Sequence, residues 1–283
     1  MTKSIVVALQ AAGKTRDSFL RRLPFLEEAL GPVRSTSFRL ARRIVNILGA
    51  GHAVDDLSAF HEANLVLLAL PETQVASVVD DLVKAPFSWK NKTVVLCDSQ
   101  MDSGVLSKLA FLGASTGSLT PVPSLDNGLF ITEGDLRAVR LARQLVSREG
   151  VRVLQMTRGR KSLFDAAIGF STGLALPLFT ATVETMRGCG MTQRDAVFLA
   201  DRMVQRTLRA YLKAGRKGWE GPLALKDKPG LRRQLQALTK MDPLMATYYL
   251  ENAMLAVRMF HKDPAWVSEL RREVFSRPAE LQA

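Results

Sequence analysis

The sequence predicts an α/β domain with a mostly parallel sheet, followed by an all-helical domain. In the first half of the chain, unbroken apolar runs at residues 64–70 (NLVLLAL) and 93–97 (TVVLC) alternate with helix-like segments. Such runs are typical of a parallel sheet that is covered by helices on both faces. After about residue 157 the strand signals stop and one helical pattern follows another. We therefore expect the sheet domain over residues 1–156 and the helical domain over residues 157–283.

The elements of the first domain follow from the spacing of its apolar residues. Residues 4–9 (SIVVAL) form a short β-branched run that predicts a strand, and residues 10–17 (QAAGKTRD) form a loop of mostly small residues. Residues 18–30 carry apolar side chains at helical spacing and predict a helix. The remaining predicted elements are a strand at 33–35, a helix at 39–48, and later strands at 129–132 and 151–156.

Helix boundaries in the second domain are marked by capping residues. A helix is predicted over residues 161–187, ended by Gly188 and Gly190. Thr192, with Asp195 three residues later, predicts a cap on a helix that runs to about residue 214. The Asp-Pro pairs at 242–243 and 263–264 each resemble an N-cap followed by proline at the first helical position.

The scattered cysteines and histidines argue against two kinds of site. Cys97 and Cys189 lie far apart, and so do His52, His61 and His261. None of them falls in the close spacing that a zinc site or a disulfide framework requires. We expect inert thiols, no bound metal and a cytoplasmic protein.

The net charge of +12 and the pI of about 10.1 raise the question of an anionic partner. Arg202, Arg206, Arg209 and Lys213 share one helical face, but no aromatic residues are interleaved with them and no nucleic-acid-binding motif is present. A solvated basic face is therefore the first interpretation, an anionic cofactor or small-molecule substrate the second, and nucleic acid the third.

Residues 166–183 form an uncharged stretch of eighteen residues, which is near the length of a membrane span. Its serine, threonine and proline residues favour a buried helix at a domain or subunit core instead. Since large apolar faces are rarely left exposed, we expect a homodimer formed through the helical domain, with no membrane contact.

The loop after the first strand fits two phosphate-binding patterns in part. Residues 8–15 (ALQAAGKT) fit the P-loop apart from its first glycine, with Lys14 and Thr15 as phosphate and magnesium ligands and Asp98 as a second magnesium ligand. Residues 11–16 (AAGKTR) occupy the dinucleotide frame G-x-G-x-x-G, of which Gly13 alone is kept. Either loop would present backbone N–H groups to an anion at a helix N-terminus.

Six segments carry a resemblance to a known family. Residues 63–73 resemble its "ADLVLLAVPD" strand and turn, and residues 94–99 its next strand, which ends in serine. The other segments are 117–121 ("GSLHP"), 130–135 ("FAIEGD"), 161–167 ("KxLYHAAA"), and 221–223 with Asp227 ("GPIARGD"). The chain resembles the uncharacterised Rossmann-like oxidoreductases that have a helical C-terminal domain of unknown function. These are related to pyrroline-5-carboxylate reductase and, more distantly, to ketopantoate reductase and the β-hydroxyacid dehydrogenases.

The resemblance implies an NADP-dependent reductase of a small carbonyl or imine acid. Residues 34–39 (RSTSFR) follow the second strand and hold no acidic residue for a ribose hydroxyl, whereas hydroxyls and arginine suit the 2′-phosphate of NADP. The predicted cofactor-binding residues are Gln10, Ala11, Ala12, Gly13, Lys14, Thr15, Ser35, Thr36, Arg39, Leu70, Pro71 and Thr73.

The predicted catalytic residues are Lys161, Asp165, Ser99 and Thr120. Lys161 and Asp165 are spaced i, i+4, so they share a helix face, and the pair resembles the Lys-x-x-x-Asn pair of β-hydroxyacid dehydrogenases. Such a lysine can hold or protonate a substrate oxygen. Ser99 and Thr120 are candidate hydrogen-bond partners of a substrate carboxylate or carbonyl.

Two departures from the family pattern leave other functions open. Thr120 and Asp165 stand where the family usually has histidine, and two glycines of the cofactor loop are replaced. The first alternative is a non-catalytic Rossmann-like scaffold or ligand-sensing dimer. The second is a P-loop NTPase or kinase that uses Lys14, Thr15 and Asp98.

Overall fold

The computed structural model describes residues 5–12, 17–21, 23, 26–122, 128–147, 151–221 and 223–260. The chain divides into two compact units, Met1–Ile168 and Gly169–Ala283. The division falls after Ile168, so Lys161 and Asp165 belong to the first unit, with the sheet.

The first unit alternates strands and helices. Its strands are β1 (Val7–Ala11), β2 (Leu30–Arg34), β3 (His52–Ala53), β4 (Leu65–Ala69), β5 (Thr93–Cys97), β6 (Ser115–Pro121), β7 (Leu129–Gly134) and β8 (Arg152–Gln155). Its helices are α1 (Asp17–Leu20), α2 (Leu26–Ala29), α3 (Phe38–Leu48), α4 (Glu72–Val83), α5 (Ser107–Phe111), α6 (Leu136–Leu145) and most of α7 (Lys161–Ser171). Short 3₁₀ helices lie at Leu57–His61 and Ser103–Leu106.

Among the described residues, the strands form one sheet in the order β3-β2-β1-β4-β5-β6-β7-β8. Neighbouring strands run parallel except at the β6–β7 pair, which is antiparallel. In the centre, Leu67 of β4 pairs with Leu9 of β1 on one side and with Val95 of β5 on the other. The first six strands follow the Rossmann order, and the expected α/β fold class is confirmed.

The sheet is buried on both faces. Leu9, Leu67 and Val95 point into one apolar cluster, whereas Ala8, Val66 and Val94 point into the other. Successive residues of a strand face opposite sides, so a strand that is covered twice needs apolar residues at every position. This double burial explains the unbroken apolar runs of β4 and β5.

The predicted helix over residues 18–30 is wrong. The structure has two four-residue helices there, α1 and α2, and Leu30 begins β2. Pro24 falls inside the predicted segment, and proline removes a hydrogen bond from a helix interior. Leu20, Leu23 and Leu26 are buried in the core nevertheless, which accounts for the helix-like spacing.

Two of the strands were not predicted from the sequence. β3 has only two residues, and β6 (STGSLTP) lacks the apolar run of its neighbours. Ser118 and Thr116 of β6 are buried, and hydrogen bonds compensate their hydroxyl groups for the loss of water. Ser118 Oγ donates to Glu133 at 2.6 Å, and Thr116 Oγ1 accepts from Arg158 at 3.0 Å. Polar strand residues of this kind give no periodic apolar signal.

The second unit is helical in its described part. It contains α8 (Ala175–Gly188), α9 (Gln193–Ala214), a 3₁₀ turn at Gly215–Gly218, α10 (Lys228–Met241) and α11 (Pro243–Phe260). The Thr192 cap is present, since its hydroxyl accepts from Asp195 N at 3.2 Å, and Asp242 accepts from Leu244 N at 2.8 Å. The predicted cap at residues 263–264 lies outside the described residues.

The predicted helix over residues 161–187 is two helices, α7 and α8, separated by residues 172–174. Together, Lys161–Gly188 is long and apolar enough to cross a membrane by length and composition alone. Within one chain, residues 166–183 are largely exposed, so they are not buried in a domain core. The other expectation, burial at a subunit core, stays a prediction. Phe170 and Leu176, for example, are 64% and 66% exposed.

Gly134 provides a test of the β6–β7 packing. Its φ is +126°, and a Cβ added there would meet Thr116 O and Gly117 Cα of β6. We expect Gly134→Ala to lower the free energy of unfolding by about 3 kcal/mol, since backbone strain and overpacking add. Gly159→Ala is the matched control, because its φ is also positive, at +75°, with nothing within 4 Å. It should cost about 1 kcal/mol. Equal losses in urea unfolding would contradict the packing described for Gly134.

Candidate active site

A pocket of about 390 Å³ lies where three neighbouring parallel strands end. Glu72 follows β4, residues 98–100 follow β5, and Thr120 closes β6. The carboxyl ends of parallel strands meet at one edge of a sheet, which is where ligands of such folds bind. Ile131 of β7 and Phe164 and Asp165 of α7 complete the lining, together with Pro121. We call this cavity the strand-end pocket.

Lys161 is buried beside this pocket. Its side chain is 1% exposed, and Nζ donates a hydrogen bond to Thr120 Oγ1 at 2.6 Å. The hydroxyl group of Thr120 in turn donates to Ser99 O at 3.3 Å. Three of the four predicted catalytic residues are therefore joined by one chain of hydrogen bonds across β5, β6 and α7.

Burial shifts the pKa of the Lys161 ammonium group. Removal from water lowers the pKa of the ammonium group below its usual range, and the charges of Asp165, Glu133 and Asp98 oppose that shift. Neutral lysine is therefore reached at a lower pH than in solution.

The pKa of Asp165, one turn along α7 from Lys161, is shifted in the opposite direction. Burial raises the pKa of its carboxyl group, the charge of Glu72 raises it further, and Lys161 lowers it. Lys161 and Asp165 both lie on α7, so the expected i, i+4 spacing on one helix is present. Their catalytic roles remain predictions.

Glu72 is held in place by the loop after β5. Its Oε1 accepts hydrogen bonds from Ser99 Oγ at 3.2 Å and from Gln100 N at 2.7 Å. Ser99 Oγ also accepts from Met101 N at 3.0 Å, which fixes the serine side chain. Asp98 begins this turn with a left-handed φ of +47°, and its N–H donates to Leu119 O at 2.9 Å.

A buried carboxylate supports the site from behind. Glu133 of β7 is fully buried and accepts from Ser103 N, Ser103 Oγ and Ser118 Oγ at 2.8, 2.8 and 2.6 Å. A carboxylate without water needs such donors to remain charged. These bonds tie β6, β7 and the 3₁₀ helix after β5 together, and Glu133 adds negative charge near Lys161.

The predicted cofactor residues lie at the ends of β1, β2 and β4. Gln10, Ala11 and Ala12 are buried, and Ser35 Oγ donates to Ala11 O at 2.5 Å, which ties the ends of β1 and β2. Leu70 is buried and Pro71 half-buried, whereas Thr36, Arg39 and Thr73 are exposed. Gly13, Lys14 and Thr15 lie outside the described residues.

The described part of this edge carries positive charge. β1 ends at Ala11, which is followed by Ala12, and both are small. Arg34 donates to Gln10 Oε1 at 3.3 Å and to Asp55 O at 3.0 Å, so a cation lies at the end of β2. With Arg39 exposed in the first turn of the following helix, the edge offers positive charge to a 2′-phosphate.

Sequence reasoning missed Glu72, Gln100 and Phe164 as pocket residues. Glu72 is the first residue of α4, directly after the Pro71 turn. A polar residue just after a strand-ending proline was the available signal for it. Phe164 lies between Lys161 and Asp165 in the sequence, and its own spacing gave no indication of a site.

Comparisons with known proteins agree with this fold. Residues 129–255 match the family model of DUF2520, a domain of unknown function. This match, together with the fold, confirms the expected resemblance to Rossmann-like proteins with a helical C-terminal domain of unknown function. No curated protein matches the sequence.

Several solved structures share the fold at low identity. A candidate NADP oxidoreductase from Bacteroides fragilis is 15% identical, with a TM-score of 0.69 over 89% of this chain and 97% of that chain. A pyrroline-5-carboxylate reductase from Coxiella burnetii is 15% identical, with a TM-score of 0.51 over 98% and 100%. An imine reductase from Aspergillus terreus, solved in complex with NADPH4 and dibenz[c,e]azepine, is 18% identical, with a TM-score of 0.58 over 96% and 95%. Nothing in these comparisons supports the P-loop alternative.

The hydrogen bond from Lys161 to Thr120 can be tested by substitution. Thr120→Val removes the acceptor and leaves a buried ammonium donor unsatisfied, so we expect the free energy of unfolding to fall by about 2 kcal/mol. Thr120→Ser keeps the hydroxyl group and should cost less. The measurement is urea unfolding of both variants.

The same pair of variants in a Lys161→Met background separates this bond from packing. The methionine side chain has no hydrogen-bond donor, so we expect Thr120→Val to cost much less there than in the parent chain. A loss of the same size in both backgrounds would show that Thr120 acts through its methyl group and not through the lysine.

Proposed function

We propose that the protein is an NADP-dependent reductase of a small carbonyl or imine acid. The observation that carries this proposal is a buried lysine hydrogen-bonded to Thr120 at the carboxyl edge of a Rossmann sheet, beside a pocket of small-molecule size. Solved structures of the same fold include a candidate NADP oxidoreductase and an imine reductase in complex with NADPH4, and these support it.

The residues of the pocket can orient a substrate and donate a proton during such a reduction. When bound, NADPH would supply the hydride. Thr120 and Ser99 line the pocket, so their polar groups can orient a substrate oxygen or nitrogen. Lys161 Nζ donates to Thr120 Oγ1, whose own proton is directed at Ser99 O. Once this hydroxyl group turns toward a bound substrate, Oγ1 can give its proton to the substrate and take one from the Lys161 ammonium group. Burial lowers the pKa of Lys161, which makes its ammonium group a stronger acid for this purpose.

The preference for NADP over NAD rests on the end of β2. Residues 34–39 offer two arginines and several hydroxyl groups and no carboxylate. Thr36 and Arg39 are exposed, so they can reach a 2′-phosphate, and Leu70, Pro71 and Thr73 lie at the end of the adjacent β4.

Arg39→Gln tests this preference. We expect about tenfold weaker NADPH binding, because one charge-assisted contact is lost, and unchanged NADH binding. Arg140→Gln is the matched control, an exposed arginine on α6, and should leave both affinities unchanged. The measurement is isothermal titration calorimetry with NADPH, NADH and magnesium–ATP.

Other outcomes of this titration point to the alternatives. Tight magnesium–ATP binding that depends on Lys14 would favour the P-loop interpretation. If no nucleotide binds at millimolar concentration, the proposal fails and a non-catalytic scaffold or sensor is favoured. Binding of NADPH would justify a screen of small carbonyl and imine substrates, with Lys161→Ala as the inactive control.

We further propose that the protein is a homodimer formed through the helical unit, with α8 in the interface. Apolar side chains at Phe170, Leu174, Leu176 and Leu178 are each at least half exposed within one chain. The stretch 166–183 holds no charged residue, so a second copy of the same apolar surface suits it better than a charged partner. Monomers rarely leave apolar patches of this extent exposed.

Leu176→Asp tests the dimer. A carboxylate in an apolar interface should cost about 2 kcal/mol or more of association free energy, so we expect a shift from dimer to monomer in sedimentation velocity. Phe111→Asp is the control, since Phe111 is also an exposed apolar residue, 92% exposed, and lies on α5. A parent chain that sediments as a monomer would contradict the proposal. Recovery of the parent chain in the detergent phase would instead favour a membrane role for this stretch.

A further inference from the structure

One face of strand β6 carries three hydroxyl groups, and each of them is hydrogen-bonded to a different charged side chain. Thr116, Ser118 and Thr120 are two residues apart along the strand, so their side chains share one face. Their partners are Arg158 Nη2 at 3.0 Å, Glu133 Oε1 at 2.6 Å and Lys161 Nζ at 2.6 Å, in that order. The charges along this face therefore alternate in sign, with the carboxylate between the two cations.

The pairing of β6 with β7 gives the position of Glu133 relative to Lys161. Glu133 lies opposite Ser118, and Ile131, which lines the strand-end pocket, lies opposite Thr120. Two residues along a strand span about 7 Å. The backbone of Glu133 is therefore one such step inward from the residue pair at which Lys161 is hydrogen-bonded. At this distance, and away from water, two opposite charges still interact strongly.

Glu133 has the surroundings of an ionised carboxylate. It is 0% exposed, and Oε1 also accepts from Ser103 N at 2.8 Å, a group that can only donate. Oε2 accepts from Ser103 Oγ at 2.8 Å, so both oxygens act as acceptors. The described lining of the strand-end pocket does not include Glu133, so a bound substrate would leave its surroundings unchanged.

Lys161 also faces other titratable groups. Burial lowers the pKa of its ammonium group, and the charges that oppose this shift belong to Asp165 of α7, Glu133 of β7, Asp98 after β5 and Cys97 of β5. Asp165 has the largest opposing effect, but it lines the pocket, as does Asp98. Their surroundings therefore change when a ligand enters, whereas those of Glu133 stay the same.

We propose that Glu133 is a positioning residue, which keeps Lys161 in its ammonium form at the hydroxyl group of Thr120. Burial favours the neutral form of a lysine, and an enclosed carboxylate nearby opposes this effect. The consequence rests on the proposed function, because the ammonium form is the one that can supply a proton to a substrate. Glu133 contacts no substrate in this role and acts through the charge of Lys161.

An NMR titration of Lys161 tests this proposal in the full-length protein without NADPH. The lysine side chains are isotope-labelled, and the Lys161 signal is the one that is absent from Lys161→Met. Glu133→Gln removes the charge and keeps the shape of the side chain, with an acceptor oxygen for Ser103 N. We expect it to lower the pKa of Lys161 by about one pH unit, since one attractive charge is lost.

Ser118→Ala is the matched control. It removes one hydrogen bond of the same carboxylate and keeps the charge, so the pKa of Lys161 should stay within about 0.3 of the parent value. The proposal is overturned if Glu133→Gln leaves the pKa of Lys161 unchanged or raises it, or if Ser118→Ala lowers it equally.

A second measurement applies if Glu133→Gln is too unstable to titrate. Lys161→Met leaves no buried charge for Glu133 to stabilise. The double variant Glu133→Gln, Lys161→Met should therefore resist urea better than Glu133→Gln alone. A double variant that is no more stable would overturn the proposal.

The titration separates the role of Glu133 from the proposed function, because it needs neither cofactor nor substrate. A lowered pKa without NADPH binding would support the role of Glu133 and remove the reductase. NADPH-dependent turnover with an unchanged pKa would do the reverse. The ammonium form is lost above its pKa, so the alkaline limb of the pH profile of kcat should move to lower pH in Glu133→Gln, by the same amount as the titration.

Discussion

The buried ammonium group of Lys161 is the constraint on which the site depends. A lysine that is 1% exposed must keep a hydrogen-bond acceptor, and Thr120 at the end of β6 provides it at 2.6 Å. This requirement fixes the start of α7 against the carboxyl edge of the sheet. Phe164 and Asp165, which follow within one helical turn, are thereby placed in the pocket wall. Glu133, held by two serines behind the same edge, adds the negative charge that partly offsets the cost of burying the lysine.

The central sheet could be predicted from the sequence because its strands are buried on both faces. Strands covered on both faces must be apolar at every position, and β4 and β5 therefore appear as unbroken runs. β6 could not be found in this way, since its buried positions include Ser118 and Thr116, which are satisfied by partners distant in the sequence. The wrong prediction of a helix over residues 18–30 has a related cause. Buried leucines at helical spacing also arise in short helices and turns that pack on one core.

The position of the candidate site could be predicted from the sequence, but only some of its residues could. Ser99 follows β5 and Thr120 lies near the end of β6, and because these neighbouring strands are parallel, both residues reach one edge of the sheet. Lys161 and Asp165 were predicted from their spacing and from the family resemblance, but only the fold shows that Lys161 is buried and donates to Thr120, a residue of the pocket lining. Glu72 was missed because its position depends on two hydrogen bonds from the β5 loop, from residues 27 and 28 positions further along the chain. Contacts of that range leave no local pattern.

Charge at the scale of the chain and charge at the scale of the pocket differ. A net charge of +12 favours anionic partners in general, and at the dinucleotide edge Arg34 and Arg39 agree with it. The described lining of the strand-end pocket includes Glu72, Asp98 and Asp165 and no lysine or arginine, while the enclosed Lys161 acts on Asp165 and Asp98 from outside this lining. Because interactions at contact distance are screened far less than those across the surface, the side chains around a pocket weigh more in it than the net charge of the chain. The net charge therefore does not give the sign of the charge at each site.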